Sequence, residues 1–240
     1  VTKRSIEVEN VQDLASWAPR SAPDRALFAG RYVRLEPLDT AAHGDGLFAV
    51  SSVADAQARF RWLREEPPQC RADFQPWLEK MSASRDPLFF AVIDAATGSV
   101  GGRQALMRID ADNGVAEIGS IYWGPQVAGT RLATEAFLLF ARHIFDDLGY
   151  RRFEWKCDDR NEPSKRAAIR FGFRFEGTFR QHMVVKGENR DTAWFAILDH
   201  EWSAIREAIE LWLAPENFST GGQQRKKLGV FMERTGGRKA

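Results

Sequence analysis

A chain of 240 residues, 44% hydrophobic and 28% charged, has the size and composition of one generous domain or of a domain with extensions. Its net charge of +1 argues against a strongly basic nucleic-acid binder, and no apolar run approaches the roughly 18 residues that cross a bilayer. Two cysteines, Cys70 and Cys157, make neither a disulfide framework nor a zinc spacing, and VTKRSIEVENVQD lacks the apolar core of a signal peptide; a cytoplasmic protein without a metal site or a membrane partner is expected.

Residues 1–27 are mixed and polar, with Pro19 and Pro23 breaking regularity, and read as an extension. RYVRLEPL sets Tyr32 and Arg34 against Val33 and Leu35, which predicts a strand. Asp39 is placed to cap a helix through Leu47, Phe48 and Val50, and Asp73 to Ser84 predicts another with Phe74, Trp77, Leu78 and Met81 on one face. LFFAVID after Pro87 reads as a buried strand, Ala95 to Gly98 as a turn, and VGGRQALMRID as the next strand. DADNG then links it as a hairpin to GVAEIGSIYW.

The clearest helix follows. Ala133, Ala136, Phe137, Phe140, Ala141, Ile144, Phe145 and Leu148 recur on one face, and Gly149 stops it. RRFEWKC predicts a strand, and Asn161 caps a helix with Ala168 and Phe171 inward and Gly172 at its end. FRFEGTFRQHMVV and DTAWFAIL are strands joined by KGENR. AIREAIELWLA is a last helix, whose Ile205, Ile209 and Trp212 dock on the core or on a second subunit, so a homodimer is one arrangement it permits. GGQQRKK and RTGGRK read as a solvated basic tail. This order of elements predicts a mixed α/β sheet with helices on both faces.

Within Glu117 to Gly177 the segments ATEA, DDLGYRRFEWKC, NEPS and AAIRFGFRFEGTFRQ together resemble the GNAT superfamily of acyl-CoA N-acyltransferases. More narrowly the chain is similar to the branch that includes the ribosomal-protein N-terminal acetyltransferases (RimJ/RimL-like). GRYVRLEPL and DTAWFAILDHEW extend the likeness more weakly, giving a domain over residues 28–202 between extensions 1–27 and 203–240. The resemblance implies a mostly antiparallel central sheet with a V-shaped splay between central strands. It also implies an acyl-CoA co-substrate, most often acetyl-CoA, and direct transfer to an amine, either a protein N-terminus or a small molecule.

Such transfer needs the donor carbonyl held near the amine, a hydrogen bond to the developing oxyanion, and a base. In the resembled family the splayed strand pairs with the pantetheine arm, which here assigns Ile121, Tyr122 and Trp123 to the donor, with Gly119 permitting close approach. The helix start at Gly129, Thr130, Arg131, Ala133 and Thr134 would face the phosphates, and Asn161 and Ser164 match the second cofactor motif. The phosphate loop departs from the family pattern of Arg or Gln, two residues, Gly, one residue, then Gly or Ala. Ala128 and Arg131 stand at its first two fixed positions, and only Ala133 conforms. Arg131 would contact phosphate or fill space that a glycine leaves open. This departure motivates an alternative, a binding or regulatory module that keeps the fold without turnover. Arg166 reaches the adenosine phosphates or stands in solvent.

Glu117 is the candidate general base, on the position where the family often places a carboxylate; Asp158, Asp159 and His182 are rivals. Cys157 reads as a buried strand thiol rather than a nucleophile. Residues Arg59 to Arg71 are expected to wall the acceptor site, with Phe60 and Trp62 shaping a pocket or filling the core.

Overall fold

The computed structural model describes residues 14–237. The first thirteen residues of the expected N-terminal extension and the last three of the basic tail lie outside the described residues. Eight strands form one sheet: β1 (Phe28–Ala29), β2 (Val33–Pro37), β3 (Leu88–Asp94), β4 (Val100–Asp110), β5 (Val115–Trp123), β6 (Arg152–Asp158), β7 (Arg174–Val185) and β8 (Glu188–Leu198). Their order is β1-β2-β3-β4-β5-β6-β8-β7, antiparallel throughout except for β5 beside β6.

The apolar run in β3 is explained by burial on both faces. Phe90 and Val92 enter the larger core, while Phe89 enters a second core on the opposite face. That second core is closed by α1 (Thr40–Ser51) and α3 (Arg71–Ala83) through Leu47, Phe74 and Leu78. Asp39 caps α1 as expected, accepting from the N–H groups of Ala41 and Ala42. α3 begins two residues before Asp73, because Cys70 occupies the cap position and its Sγ accepts from the Asp73 N–H. Between them lies the short α2 (Ala56–Phe60).

The larger core is covered by α4 (Arg131–Arg142), α5 (Glu162–Arg170) and α6 (Asp199–Leu213). Phe137 and Phe140 of α4 are fully buried, each burial being worth roughly 1.5–3 kcal/mol. A π-helical turn, His143–Asp147, carries α4 on to its stop at Gly149, whose φ is +65°. α6 packs through Trp202, Ile205, Ile209 and Trp212, so the sequence boundary at residue 202 does not fall at a structural break. The expected solvated tail is also corrected: a short 3-10 turn, Pro215–Asn217, leads to α7 (Leu228–Thr235), where Leu228 and Met232 are buried. Asn217 fixes the return, donating from Nδ2 to the carbonyls of Trp212 and Lys226. The intervening basic loop, residues 220–227, is exposed. Among the described residues no helix is long and apolar enough to cross a membrane.

One buried carboxylate ties α4 to the start of the sheet. Glu135 accepts from the backbone N–H groups of Arg31, Tyr32 and Val33 at 2.9, 2.5 and 2.8 Å. Gly30 makes room for it, because a Cβ there would meet the Glu135 carboxyl group. Glu135→Ala strands these donors in a poorly hydrated turn. The expected loss is about 3 kcal/mol, seen as a lower urea midpoint at unchanged slope. An unchanged midpoint would show that water replaces the carboxylate at no cost.

Candidate active site

The parallel ladder between β5 and β6 runs from Val115 beside Arg152 to Ile118 beside Trp155 and then ends. Beyond it, Gly119–Trp123 of β5 and Lys156–Asp158 of β6 no longer pair with each other. A bulge contributes to the divergence. Ser120 and Ile121 together oppose Gln104 of β4, and Ser120 takes a left-handed φ of +48°. The buried Arg103 holds that bulge by donating from Nη1 to the Ser120 carbonyl at 2.6 Å, while its Nη2 pairs with Glu65. Gln104 in turn accepts from Trp123 Nε1 and donates to the Ala136 carbonyl, locking strand against helix.

The splay opens into a cavity of about 570 Å³. It is lined by Glu117, Ile121, Tyr122, Trp123, Gly129, Asn161 and Ser164 of the expected site residues. Thr130, Arg131, Ala133 and Thr134 follow Gly129 into the first turn of α4 and do not line the cavity themselves. Thr130 caps that helix by accepting from the Leu132 N–H. Gly129 adopts φ +75°, which turns the chain into the helix without a side-chain penalty. Asn161 caps α5 through its Oδ1, which accepts from the Ser164 N–H at 3.2 Å, and its amide Nδ2 keeps its donors for a ligand. The Ser164 hydroxyl accepts from Trp155 Nε1 at 2.9 Å.

Arg131 neither reaches into the cavity nor crowds the loop. Its guanidinium lies over the rings of Tyr32 and Phe218, 4.2 and 5.2 Å from their centroids. An arginine is accommodated where the resembled pattern calls for glycine because the segment after α6 supplies an aromatic seat. The main-chain N–H at this helix start, rather than the side chain, is what remains for an anion. Arg166 is exposed.

Glu117 is 5% exposed and sits between two cations, Lys156 Nζ at 2.9 Å and Arg108 Nε at 3.1 Å. Lys156 is shared with Glu154 at 2.5 Å and stacks 3.8 Å from the Trp194 ring centroid. Burial lifts the proton affinity of Glu117 above the usual glutamate range, against the opposing pull of Lys156 and Arg108. The rivals separate clearly. Asp158 lines the cavity, but although burial opposes its ionisation, hydrogen bonds from Arg160 hold its carboxyl below the usual range. Asp159 lies outside the main cavity and pairs with Lys165. His182 lines the cavity, hydrogen-bonds through Nδ1 to Thr192 Oγ1 at 2.9 Å, and has its pKa lowered by burial and by Arg108, Arg190, Lys156 and Arg64. It is therefore a neutral imidazole at pH 7 and a second candidate base. The Tyr122 hydroxyl is committed, donating to the Val50 carbonyl at 2.5 Å.

α2 and the segment after it supply a wall, through Arg59, Trp62, Leu63, Arg64 and Glu65, whereas Phe60 is core against Tyr122. Sequence reasoning missed Arg108, Lys156 and Arg190. Each reads alone as a solvated strand residue, and only the sheet brings them to one place. Backbone strain marks the same rim. Arg108 and Gln181 take φ of +50° and +49° at irregularities in β4 and β7, beside the cavity residues Met107 and His182. Among the described residues no group of His, Cys, Asp and Glu is arranged to hold a metal ion.

Comparison with known proteins agrees with this geometry. Residues 33–174 match the acetyltransferase (GNAT) domain. The crystal structure of a GCN5-related N-acetyltransferase from Brucella melitensis is 64% identical, with a TM-score of 0.90 over 91% of this chain and 99% of that one. N-acetyltransferase p20 of Bacillus licheniformis, itself uncharacterised, is 32% identical over 48% of this chain. YdaF of Bacillus subtilis strain 168, provisionally named a ribosomal N-acetyltransferase, is 31% identical over 44% of it. The matches span 64% and 57% of the length of these two relatives.

The two thiols should differ in reactivity. Burial pushes the Cys157 thiol up to about 11, against a hydrogen bond from Ser164, while Cys70 is exposed. At pH 8 only about one Cys157 in a thousand is thiolate. Iodoacetamide followed by mass spectrometry is expected to label Cys70 and leave Cys157 unmodified. Rapid labelling of Cys157 in folded protein would restore it as a nucleophile.

Proposed function

The chain belongs to the acetyltransferase (GNAT) family, and on that footing we propose that it moves an acetyl or other short acyl group from acyl-CoA to a primary amine by direct transfer. GNAT acetyltransferases use acetyl-CoA, which supplies the acyl group as a thioester. The observation that carries the reading is the unpaired edge of Gly119–Trp123 facing a cavity with a capped helix start beside it. An extended, amide-bearing donor arm matches such an edge as an added strand would. Ile121, Tyr122 and Trp123 present that edge, and Asn161 and Ser164 offer an amide donor and a hydroxyl alongside. Gly129, Thr130, Arg131, Ala133 and Thr134 form the helix start whose N–H groups and dipole favour phosphate.

Glu117 is assigned the proton transfer, directly or through a water. The carboxylate takes one proton from the ammonium, the freed amine nitrogen bonds to the acyl carbon, the carbon–sulfur bond breaks, and the departing thiolate takes the second proton from nitrogen to leave as the thiol. Lys156 and Arg108 hold that carboxylate in place. The acceptor is a protein N-terminus or a small molecule. The name of the Bacillus subtilis relative makes a ribosomal-protein N-terminus one class to include.

Calorimetry with acetyl-CoA and CoA, followed by thiol release across an amine panel, tests the reading. Absence of heat with every acyl-CoA would favour a binding or regulatory module instead. Glu117→Gln is expected to reduce turnover by about 100-fold or more while acetyl-CoA affinity holds. A base works deprotonated, so kcat/KM of the parent protein should rise with pH through a pKa above the ordinary glutamate value. That limb should vanish in the variant, leaving only the titration of the amine. Full activity of Glu117→Gln across pH would transfer the role to His182 or to solvent.

A further inference from the structure

Charges lining the cavity do not cancel. Its three acidic residues are already engaged: Glu65 with Arg103, Asp158 with Arg160, and Glu117 with Lys156 and Arg108. Arg59 is engaged too, with Asp55 at 2.9 Å. Two lining arginines, Arg64 and Arg190, have no carboxylate partner among the described residues. They meet at Met183. Arg190 is its cross-strand partner in the β7–β8 ladder, and Arg64 Nη2 lies 3.8 Å from its sulfur. Arg64 is exposed, but Arg190 is half-buried and its Nε is out of contact with solvent and makes no hydrogen bond. Burial works against its charge. Asp158 and Glu117 lie close enough to offset part of that cost, but each is already paired with other cations, and a partly desolvated guanidinium with no ion pair of its own is relieved by a ligand anion.

Resting on the acyl-transfer reading, we infer that the acceptor carries an anionic group, a carboxylate or a phosphate, a few bonds from its amine, and that Arg190 with Arg64 receives it. Arg190 stands on β8, a different element from the two helix starts assigned to the donor. It also borders a neighbouring cavity of about 530 Å³, so an anion there leaves room for the rest of the acceptor. A planar guanidinium binds carboxylate or phosphate in bidentate fashion, which fixes orientation as well as position. The same field repels polyamines and lysine-rich termini, so selectivity has a repulsive component.

The test uses the full chain and matched ligands, compared at equal free-amine concentration: serine against serinamide, phosphoethanolamine against ethanolamine, and spermidine. Binding is measured calorimetrically in the presence of CoA, and turnover by thiol release from acetyl-CoA. At least one anionic ligand is expected to bind about tenfold or more tighter than its neutral counterpart, with spermidine weakest. The serine and phosphoethanolamine arms distinguish carboxylate from phosphate. In Arg190→Gln the preference should collapse to about unity, and Arg64→Gln should reduce it in part. Equal affinity for charged and neutral partners, or an Arg190→Gln variant that weakens both alike, would overturn the inference. Selective anion binding that Arg190→Gln abolishes, without thiol release from any amine, would keep an anion site at Arg190 but sink the acyl-transfer reading and, with it, the assignment of that anion to an acceptor. Thiol release from all amines without preference would do the reverse.

Discussion

The separation of β5 from β6 after Ile118 and Trp155 is the constraint on which the site depends. Two parallel strands would ordinarily continue to satisfy each other's N–H and C=O groups, since unpaired buried backbone is expensive. Here the bulge at Ser120 bends β5 out of register, and the buried Arg103 holds the displaced carbonyl. The result is a strand with one edge paired to β4 and the other open to a cavity. An edge of this kind has the backbone groups that an extended chain would pair with. Trp155 braces the far side through its hydrogen bond to Ser164, which couples the end of the ladder to the start of α5.

Electrostatics around this opening follow from its depth. Glu117 keeps a raised proton affinity despite two cations, because burial outweighs them. Its position is fixed by Lys156 and Arg108 while its proton affinity stays above that of an ordinary glutamate. Burial, and after it the same cations with Arg190 and Arg64, lower the pKa of His182. One set of positive charges thus positions the carboxylate, adds to burial in disfavouring charge on the imidazole and leaves Arg64 and Arg190 without an ion pair on the cavity wall among the described residues.

The C-terminal segment has a part in this that its composition conceals. Phe218 follows α6 and, with Tyr32, receives Arg131. Tyr32 is itself held by Glu135 through its N–H, and its hydroxyl donates to the Leu213 carbonyl at 3.0 Å. An unusual residue in the loop before α4 is thereby accommodated by contacts from both ends of the fold. The helix start keeps its shape because its odd side chain has somewhere else to lie.

Local pattern determined a great deal. Asp39, Thr130 and Asn161 mark helix starts because a side-chain oxygen satisfies a free N–H within a few residues. The apolar stripe of α4 and the double-faced run of β3 were legible because burial imposes a period on neighbouring residues. Glu117, Asn161 and Ser164 line the cavity where their places on the strand and in the NEPS segment put them. Arg108, Lys156 and Arg190 were not legible, since they lie on different strands and acquire meaning only when pairing sets them around one space. The tail misled in the same way. GGQQRKK is solvated as its charge requires, yet Leu228 and Met232 beyond it are buried on a surface made by α6. Sequence determined most of the elements, several of their caps and the strand that carries Glu117. Only tertiary structure decided where the parallel ladder stops, which charges remain unpaired and what surrounds Arg131, because those depend on contacts between residues far apart along the chain.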